Sequence, residues 1–412
     1  MNRGKSQDSY AGINASVMEI TSCEVCGSSD LEQVLDLGFN SLCDDLIPIG
    51  SNAKTAKYPV EILFCFSCLT AHHRYQVEKQ ILFPQSYHYR ARATGSVLTG
   101  MQDLVGSIQD KYGTLQGKKV LDVGCNDGSL LDVFAQSGAE TLGVEPTEAA
   151  FDSVHKTYHG FFDQEAVEWV LDQYGQPDVI VFTNVFAHIE NLPNLLNSLR
   201  ALVGKSTLIV IENHYLGAVV EYLQFDTFYH EHPRTYSFKS FETLAGDLGM
   251  GVDQVEFVSR YGGNIRVFLR REVERTVAVS EISVVEKVKL FQSKVSEVVT
   301  SQRTKVHQKV EREGRLRAKA FPGRAAIVLQ ALDLDENEIE AIYEIRGSLK
   351  VNNYAPGTRI PILPEAELYG LDDQSLDILN LAWHIPAEVR RNLSNNGYAG
   401  SVLDVLPWEC PW

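Results

Sequence analysis

Hydrophobic and polar positions follow two alternating patterns across residues 84–271. Short runs of apolar, often β-branched residues are followed by longer segments in which apolar residues recur at helical spacing. Such alternation predicts a mainly parallel sheet with helices on both faces. The clearest strand-like runs are residues 119–123 (KVLDV), 140–144 (ETLGV), 178–182 (DVIVF) and 207–211 (TLIVI).

Three further regions flank this central part and predict an α/β protein of several domains. Residues 1–83 contain short apolar stretches broken by Gly, Pro, Ser and Asn. Residues 272–320 are poor in Gly and rich in charge, which predicts a connector of one or two solvated helices. Residues 321–412 return to strand-like runs, such as 325–329 (AAIVL) and 376–381 (LDILNL), and predict a smaller C-terminal α/β domain.

The charge of the chain narrows the classes of partner. Among 412 residues, 54 are acidic and 37 basic, which gives a net charge of −17. Neither nucleic acid nor an anionic membrane is expected as a partner, since neutralising phosphates requires a basic surface. No run approaches the roughly 20 apolar residues of a membrane span, and the first residues lack the apolar core of a secretory signal. We therefore expect a cytoplasmic protein that is a monomer or a small homo-oligomer.

Four of the seven cysteines form two Cys-x-x-Cys pairs, Cys23 with Cys26 and Cys65 with Cys68. Two such pairs complete a tetrahedral Zn²⁺ shell, and four protein ligands leave no open position on the metal. The spacing therefore predicts a structural zinc site in an N-terminal zinc-binding domain, which would fold largely because it binds the metal. Buried or redox-active cysteines are the alternative, and two histidines shortly after the second pair are candidate substitute ligands.

Residues 120–128 (VLDVGCNDG) have the pattern of a buried strand that runs into a Gly-rich turn before a helix. Gly124 and Gly128 allow a ligand to approach the backbone, and Glu145, at the end of the next predicted strand, can accept both hydroxyls of a ribose. The spacing differs from G-x-G-x-x-G and lacks the Lys-Ser/Thr of a phosphate loop. The pattern resembles the first motif of class I S-adenosylmethionine-dependent methyltransferases. A tight turn with an incidental acid is the alternative.

A second dense motif lies at residues 225–232 (FDTFYHEH). Carboxylates, histidine and tyrosine are the groups that move protons near neutral pH. Methylating a carbon requires removal of its proton, which is feasible next to a ketone when the enolate oxygen is stabilised. The motif therefore favours carbon methylation over simpler methyl transfer, with a second metal site or a solvated polar turn as the alternative. Its acid–base residues are Asp226, Tyr229, His230, Glu231 and His232.

Two shorter segments are candidates for binding. Asn184 and His188 follow the predicted strand at residues 178–182, at the edge where open α/β sheets bind ligands. We expect them to face the cofactor and the substrate, although a core histidine fits the pattern equally well. Residues 87–92 (YHYRAR) precede the central domain and fit either closure over a substrate or packing at a hinge. The two arginines of this segment are also suited to binding a diphosphate.

Taken in order along the chain, these motifs resemble those of the sugar C-methyltransferase family, whose members act on nucleotide-linked 4-keto-6-deoxy sugars. The resemblance covers most of the chain. The motifs that carry it are the two Cys-x-x-Cys pairs and residues 87–92, 121–128, 184–188 (NVFAH), 225–232, 262–266 (GGNIR), 354–362 (YAPGTRIPI) and 381–384 (LAWH).

The resemblance implies structural zinc on the four paired cysteines and a Rossmann-like class I methyltransferase fold for the central domain. It also implies that His232 removes the C3 proton of the sugar, that Tyr229 and Glu231 orient the base or the substrate, and that His188 contacts the keto sugar. The resulting enolate would then take the methyl group. Implied cofactor contacts are Asp122, Gly124, Asn126, Gly128, Glu145 and Asn184. Further implied substrate contacts are Tyr87, Tyr89, Arg92, His230 and Arg266.

Several alternatives stay open at the level of sequence. His230 would share a face with His232 if the segment were extended, so it is an alternative base. N- or O-methylation of a related nucleotide sugar is an alternative reaction, and a non-catalytic zinc-containing interaction protein is an alternative class. Residues 319–326 (KAFPGRAA) keep only a remnant of the phosphate-loop-like turn that often opens the family's C-terminal domain. The nucleotide and the sugar are therefore left open.

Overall fold

The computed structural model describes residues 17–82, 90–93, 95–273 and 277–407. In the first region, β2, β4 and β5 form an antiparallel sheet, and β1 pairs with β6. The strands alternate buried and exposed side chains only in part, because several lie beneath other regions of the chain. The elements are β1 (Val17–Glu19), β2 (Leu31–Ser41), β3 (Ile47–Pro48), β4 (Lys57–Cys65), β5 (Thr70–His73), β6 (Tyr75–Val77) and α1 (Lys79–Leu82).

The central region is a doubly wound α/β domain. Its elements are α2 (Gly95–Tyr112), β7 (Lys119–Val123), α3 (Ser129–Gln136), β8 (Glu140–Glu145), β9 (Lys156–His159), α4 (Gln164–Tyr174), β10 (Val179–Thr183), α5 (Leu192–Leu202), β11 (Leu208–His214), α6 (Leu216–Glu221), β12 (Arg234–Thr235), α7 (Phe238–Asp247), β13 (Gly251–Val258) and β14 (Asn264–Arg270). The sheet order is β13-β14-β11-β10-β7-β8-β9. Strands β7 to β11 of this sheet are parallel, and β14 is antiparallel to both of its neighbours.

The alternation of side chains along β10 shows why this sheet needs helices on both faces. Ile180 and Phe182 join a core that contains α4, α5 and α7. Val179 and Val181 join a second core that contains α2 and α3. Both faces of a parallel strand are buried, so the strand is apolar throughout. The four strand-like runs of the sequence are confirmed as β7, β8, β10 and β11, whose carboxyl ends meet at one edge.

Two helices and a second α/β unit complete the described chain. The elements are α8 (Ile282–Val288), α9 (Phe291–Glu313), β15 (Leu316–Lys319), α10 (Ala325–Leu332), β16 (Ile339–Glu344), β17 (Asn353–Tyr354), β18 (Pro361–Pro364), α11 (Glu365–Tyr369), β19 (Ile378–Asn380), α12 (Pro386–Asn395) and β20 (Val402–Asp404). The strand prediction for residues 325–329 is wrong, because this run lies in α10. Most of α10 is buried, and a helix that is apolar all round loses the periodicity that distinguishes it from a strand.

Two short strands join the sheet of another region across the expected domain boundaries. β12 of the central region pairs antiparallel with β5, and β3 of the first region pairs with β17 of the last. β15, which lies inside the predicted connector, is a central strand of the C-terminal sheet, whose order is β20-β19-β15-β16-β18-β17-β3. The first region therefore contacts both others through backbone hydrogen bonds. Among the described helices, none has both the length and the apolar character needed to cross a membrane.

Candidate functional site

The four paired cysteines converge in the first region. All of their sulfur atoms lie within 4.8 Å of one another, with Cys23 Sγ at 3.4 Å from Cys68 Sγ and Cys26 Sγ at 3.6 Å from Cys65 Sγ. A tetrahedral zinc shell with bonds of ~2.3 Å places its sulfurs about 3.8 Å apart. The arrangement therefore fits Zn²⁺ with four thiolates and no open position, which is a structural site.

His72 lies beside this centre rather than in place of a cysteine. Its Nε2 is 3.3 Å from Cys23 Sγ, and its Nδ1 is 3.6 Å from a carboxylate oxygen of Glu24. The same oxygen of Glu24 accepts a hydrogen bond of 2.7 Å from the guanidinium of Arg234. The zinc centre is thereby joined to β12, which begins two residues after His232.

The loop after β7 has the left-handed backbone that its glycines allow. Gly124, Asn126 and Gly128 have φ angles of 75°, 50° and 79°. A side chain at Gly124 would place Cβ 2.4 Å from a methyl group of Val185, and one at Gly128 would place it 2.5 Å from the Ser153 hydroxyl. Both glycines are therefore required for loop packing. That Gly124 and Gly128 also let a ligand approach the backbone stays a prediction.

The acid at the end of β8 is held by the loop. One oxygen of Glu145 accepts from the Asn126 amide at 3.0 Å, and the other accepts from the amide and hydroxyl of Thr147 at 2.9 and 2.6 Å. A carboxylate has about four acceptor positions, so capacity for a ligand hydroxyl remains. Asp122 is also buried, and burial, together with the nearby Glu145, raises the pKa of its carboxyl to about 8. The raised pKa keeps the Asp122 carboxyl largely protonated at neutral pH, so this edge offers a ligand one protonated carboxyl and the acceptor oxygens of Glu145.

Tyr87 and Tyr89 lie outside the described residues, but the arginines that follow them are placed. Arg92 donates to the backbone carbonyl of Asp127 at 2.7 Å, and its Nε lies 3.1 Å from the Asp127 carboxylate. Arg90 donates to Asp152 at 2.7 Å. Both guanidiniums are therefore paired with acids, Asp127 on the loop after β7 and Asp152 near it. This geometry favours anchoring of the segment over binding of a diphosphate.

His232 has both ring nitrogens engaged. Nδ1 lies 3.1 Å from the backbone oxygen of Thr227, and Nε2 lies 2.9 Å from the hydroxyl of Tyr229. A carbonyl oxygen only accepts hydrogen bonds, so Nδ1 carries the proton and donates, while Nε2 accepts from Tyr229. Glu231 is not one of these two partners. Burial, with His188 and His214 nearby, lowers the pKa of His232 well below its ordinary value, so its lone pair is present at neutral pH.

Two other imidazoles surround His232. The ring centre of His188 is 4.6 Å away, and that of His214 is 5.2 Å away. His188 Nδ1 donates to the backbone oxygen of Glu231 at 2.8 Å, which steadies the turn before His232. Burial lowers the pKa of His188 to about 4 and that of His214 to about 3. This cluster is therefore a neutral set of donors and acceptors at physiological pH.

His230 points away from this cluster. Its Nε2 donates to the backbone oxygen of Tyr58 at 3.2 Å, and its ring centre is 5.9 Å from that of His73 on β5. The chain turns at this point, since the amide of His232 donates to the oxygen of Tyr229 at 2.9 Å. The segment is therefore not extended, so the condition under which His230 and His232 would share a face is not met.

Asn184 and Arg266 lie in a polar network at the carboxyl edge of the sheet. The Asn184 carboxamide oxygen accepts from Asn264 at 3.0 Å. Arg266 donates to Glu212 at 2.8 Å and to Glu256 at 2.7 Å, and is almost fully buried. Its charge is thus neutralised by two carboxylates, which favours a role in joining β11, β13 and β14. The sequence prediction of a substrate contact by Arg266 gains no support from this arrangement.

Several residues near the site were not predicted as site residues. His214 ends β11, and the strand-end rule that identified Asn184 would have found it. Arg324 and Trp383 of the C-terminal region hydrogen-bond the carboxylate of Asp226. Asp226 was named in the sequence only as part of a dense motif, and no local pattern marks the two distant partners.

Comparison with known families gives three consecutive matches along the chain. Residues 23–83 match the family described as "Putative zinc binding domain", residues 99–255 match "Methyltransferase domain", and residues 259–406 match "C-methyltransferase C-terminal domain". The matched order is the order of the regions in the structure.

Individual relatives match different lengths of the chain. The C-methyltransferase NovU of Streptomyces niveus is 28% identical over 403 residues, which cover 92% of this chain and 95% of that protein. A ubiquinone biosynthesis O-methyltransferase of Bordetella avium is 31% identical over 104 residues, 23% of this chain and 42% of that enzyme. A magnesium protoporphyrin IX methyltransferase structure from Synechocystis, with bound SAH, is 19% identical, covers 42% of this chain and 83% of that one, and has a TM-score of 0.32.

The chain is therefore an S-adenosylmethionine-dependent methyltransferase with a class I fold and an N-terminal zinc-binding region, and its similarity to a C-methyltransferase along nearly the whole chain supports methylation of carbon. Three observations support this: the three family matches, the C-methyltransferase that aligns along nearly the whole chain, and the convergence of the four cysteines. S-adenosylmethionine and Zn²⁺ are its cofactors. The acids and the left-handed loop after β7 fit the first, and the four thiolates fit the second.

Proposed function

We propose that this enzyme methylates C3 of a nucleotide-linked 4-keto-6-deoxy sugar, by proton abstraction, enolate formation and methyl transfer. The observation that carries the proposal is the state of His232. It is a buried neutral imidazole with its lone pair on Nε2, inside a cluster of neutral imidazoles. Methylation of a hydroxyl or an amine can proceed with a single base or by desolvation alone, whereas methylation of carbon requires a base that removes a C–H proton and a donor that stabilises the enolate oxygen.

The low pKa of His232 keeps its lone pair free at neutral pH but makes the imidazole a weak base towards the C3 proton, so the ion pair formed on proton transfer has to be stabilised. When Nε2 takes the C3 proton, an imidazolium and an enolate form next to each other. In a site with little water, opposite charges attract more strongly than in bulk solvent, which offsets the cost of charging a buried histidine. The enolate carbon is then the nucleophile, and bound S-adenosylmethionine supplies the methyl group.

Tyr229 has two tasks in this proposal. In the structure its hydroxyl donates to His232 Nε2 and holds the ring in place. When the sugar enters, the hydroxyl turns from Nε2 to the oxygen at C4, which exposes the lone pair to the C3 proton and gives the developing enolate a donor. His188 keeps the turn in place through Glu231 and lies within reach of the sugar.

The cofactor is assigned to the edge formed by β7, β8 and β10. Glu145 is proposed to accept the ribose hydroxyls, with the buried carboxyl of Asp122 as a further contact of the cofactor. Asn126, Asn184 and the glycines complete this edge. The nucleotide-sugar substrate is proposed to bind next to His232, with C3 facing Nε2.

The test uses mass spectrometry in deuterium oxide with a panel of 4-keto-6-deoxy nucleotide sugars. The wild type is expected to exchange the C3 proton without S-adenosylmethionine and to add one methyl group with it. His232→Asn is expected to lose both, while His230→Asn, the matched control two residues away, keeps exchange. A methyl gain with no exchange at carbon would instead identify N- or O-methylation.

A further inference from the structure

We propose that Arg324, in the C-terminal region, is a positioning residue for His232. It acts through Asp226 and Thr227, and fixes the proton of His232 on Nδ1 so that Nε2 is the basic atom. The proposal rests on the role of His232 proposed above. In this proposal the C-terminal region controls which nitrogen of His232 is basic, whether or not it also contacts the substrate.

A two-pronged ion pair connects the two regions. Arg324 Nε donates to one oxygen of Asp226 at 2.8 Å, and an Nη donates to the other at 2.7 Å. The Trp383 indole N–H also donates to Asp226, at 2.8 Å. Asp226 has no exposed surface, and Arg324 is nearly as buried. Two parallel hydrogen bonds between a guanidinium and a carboxylate fix direction as well as distance.

The same guanidinium holds the residues on both sides of Asp226. It donates to the Thr227 hydroxyl at 2.8 Å and to the Gln224 side-chain oxygen at 3.2 Å. It also donates to the backbone oxygen of Tyr261 at 3.3 Å. Arg324 therefore holds residues 224–227, which begin the catalytic segment of residues 224–232, from outside the central domain.

Thr227 connects this network to the base. Its hydroxyl is bound by Arg324, and its backbone oxygen accepts from His232 Nδ1 at 3.1 Å. If the carbonyl moved away, the neutral imidazole would be free to carry its proton on either nitrogen. A proton on Nε2 would leave no lone pair facing the sugar.

The other end of the segment is held by the zinc-binding region. Arg234 pairs with His72 in the antiparallel ladder of β12 and β5, and its guanidinium binds Glu24. His232 therefore lies on a short turn held from two sides. Buried ion pairs contribute little net stability compared with apolar packing. The better explanation for the ion pair between Arg324 and Asp226 is therefore that it fixes a unique geometry of this turn.

The first test reads the tautomer of His232 by NMR of the full-length, zinc-loaded protein with labelled histidine side chains. The wild type is expected to show a single Nδ1–H tautomer, and Arg324→Met a mixture of both. Lys309→Met is the matched control, because Lys309 binds Asp377 at 2.6 Å within the C-terminal region and does not contact the catalytic segment. An unchanged single tautomer in folded Arg324→Met would overturn the proposal.

The second test measures kinetics. Arg324→Met is expected to lower kcat by about tenfold or more, with KM for the sugar, zinc content and affinity for S-adenosylhomocysteine close to wild type. Equal loss of kcat and of cofactor affinity would show a general structural role instead. If Arg324→Met does not fold, Asp226→Asn replaces it, since the amide oxygen still accepts from Trp383 while the NH2 group cannot accept and breaks one of the two hydrogen bonds to Arg324. The tautomer measurement needs no substrate, so it distinguishes failure of this proposal from failure of the proposed reaction.

Discussion

The hydroxyl of Tyr229 lies 2.9 Å from Nε2 of His232, and the rings of the two residues are 4.2 Å apart between centres. The tyrosine therefore donates to the nitrogen that is proposed to receive a proton from the substrate. Burial raises the pKa of Tyr229 well above its ordinary value, so it stays a neutral donor. On substrate binding, the Tyr229 hydroxyl is proposed to leave Nε2 and donate to the C4 oxygen of the sugar instead.

Tyr229→Phe should slow C3 deuterium exchange by about 10–100-fold, since one oriented donor to an enolate contributes a few kcal/mol. The measurement is the exchange rate in the absence of S-adenosylmethionine. Tyr112→Phe is a matched control, because the Tyr112 hydroxyl also makes a hydrogen bond, of 2.9 Å to Asp253, but lies on α2. Complete loss of exchange would instead indicate that the Tyr229 hydroxyl is the group that receives the C3 proton.

The affinity for the cofactor should depend on Glu145. Glu145→Ala is expected to weaken binding of S-adenosylhomocysteine by about 10–100-fold, because a hydrogen bond to a charged group contributes ~1.5–3 kcal/mol. Titration calorimetry checks this without any turnover. Glu148→Ala is the control, since Glu148 is an exposed acid three residues along the chain. Equal affinity in wild type and Glu145→Ala would remove this acid from the cofactor site.

Removal of zinc should lower the activity although the four paired cysteines are not part of the imidazole cluster around His232. Cys26→Ser is expected to lower the zinc content from one ion per chain, lower Tm and reduce C3 exchange, because β5 supports β12 and Glu24 binds Arg234. Metal analysis and thermal unfolding provide the readouts. Cys43→Ala is the control for zinc content, since Cys43 is not among the four converging cysteines. Full activity in metal-free protein would contradict this coupling.

Acid should destabilise the protein through its buried histidines. Burial lowers the pKa of His230 to about 4, whereas an unfolded histidine titrates near 6.5. Between these values the unfolded state binds more protons, so the free energy of unfolding is highest above pH ~6.5 and falls as the pH drops towards 4. One such group contributes up to about 3 kcal/mol of this loss.

Urea unfolding of wild type and His230→Gln across this pH range tests the effect, and the difference between the two isolates one histidine from any effect of zinc release. The variant is expected to show a shallower fall of the unfolding free energy with acid. Parallel curves for the two proteins would show that His230 does not titrate in the manner stated.

The activity of the folded enzyme, in contrast, should persist at mildly acidic pH. Since the pKa of His232 lies well below its ordinary value, the acid limb of kcat/KM for C3 exchange is expected below pH ~6.5. The same profile for Arg324→Met gives a second view of the positioning of His232. An acid limb at or above the ordinary histidine pKa would mean that the base is more solvated than the structure shows.

The sequence by itself determined the features that depend on neighbours along the chain. Apolar runs identified β7, β8, β10 and β11, and the Cys-x-x-Cys pairs identified the metal ligands, because strand burial and thiolate pairs have short-range signatures. The same reasoning failed for residues 325–329, since a helix buried on all sides and a buried strand have the same composition.

Only the tertiary structure decided which histidine faces which way and what holds it there. His230 and His232 differ by two positions, and a turn, not an extended strand, sends one towards β5 and the other into the imidazole cluster. The contacts of Asp226 with Arg324 and Trp383, and of β12 with β5, join residues far apart in the chain. Such pairings depend on how three sheets pack together, and packing leaves no pattern in the local sequence.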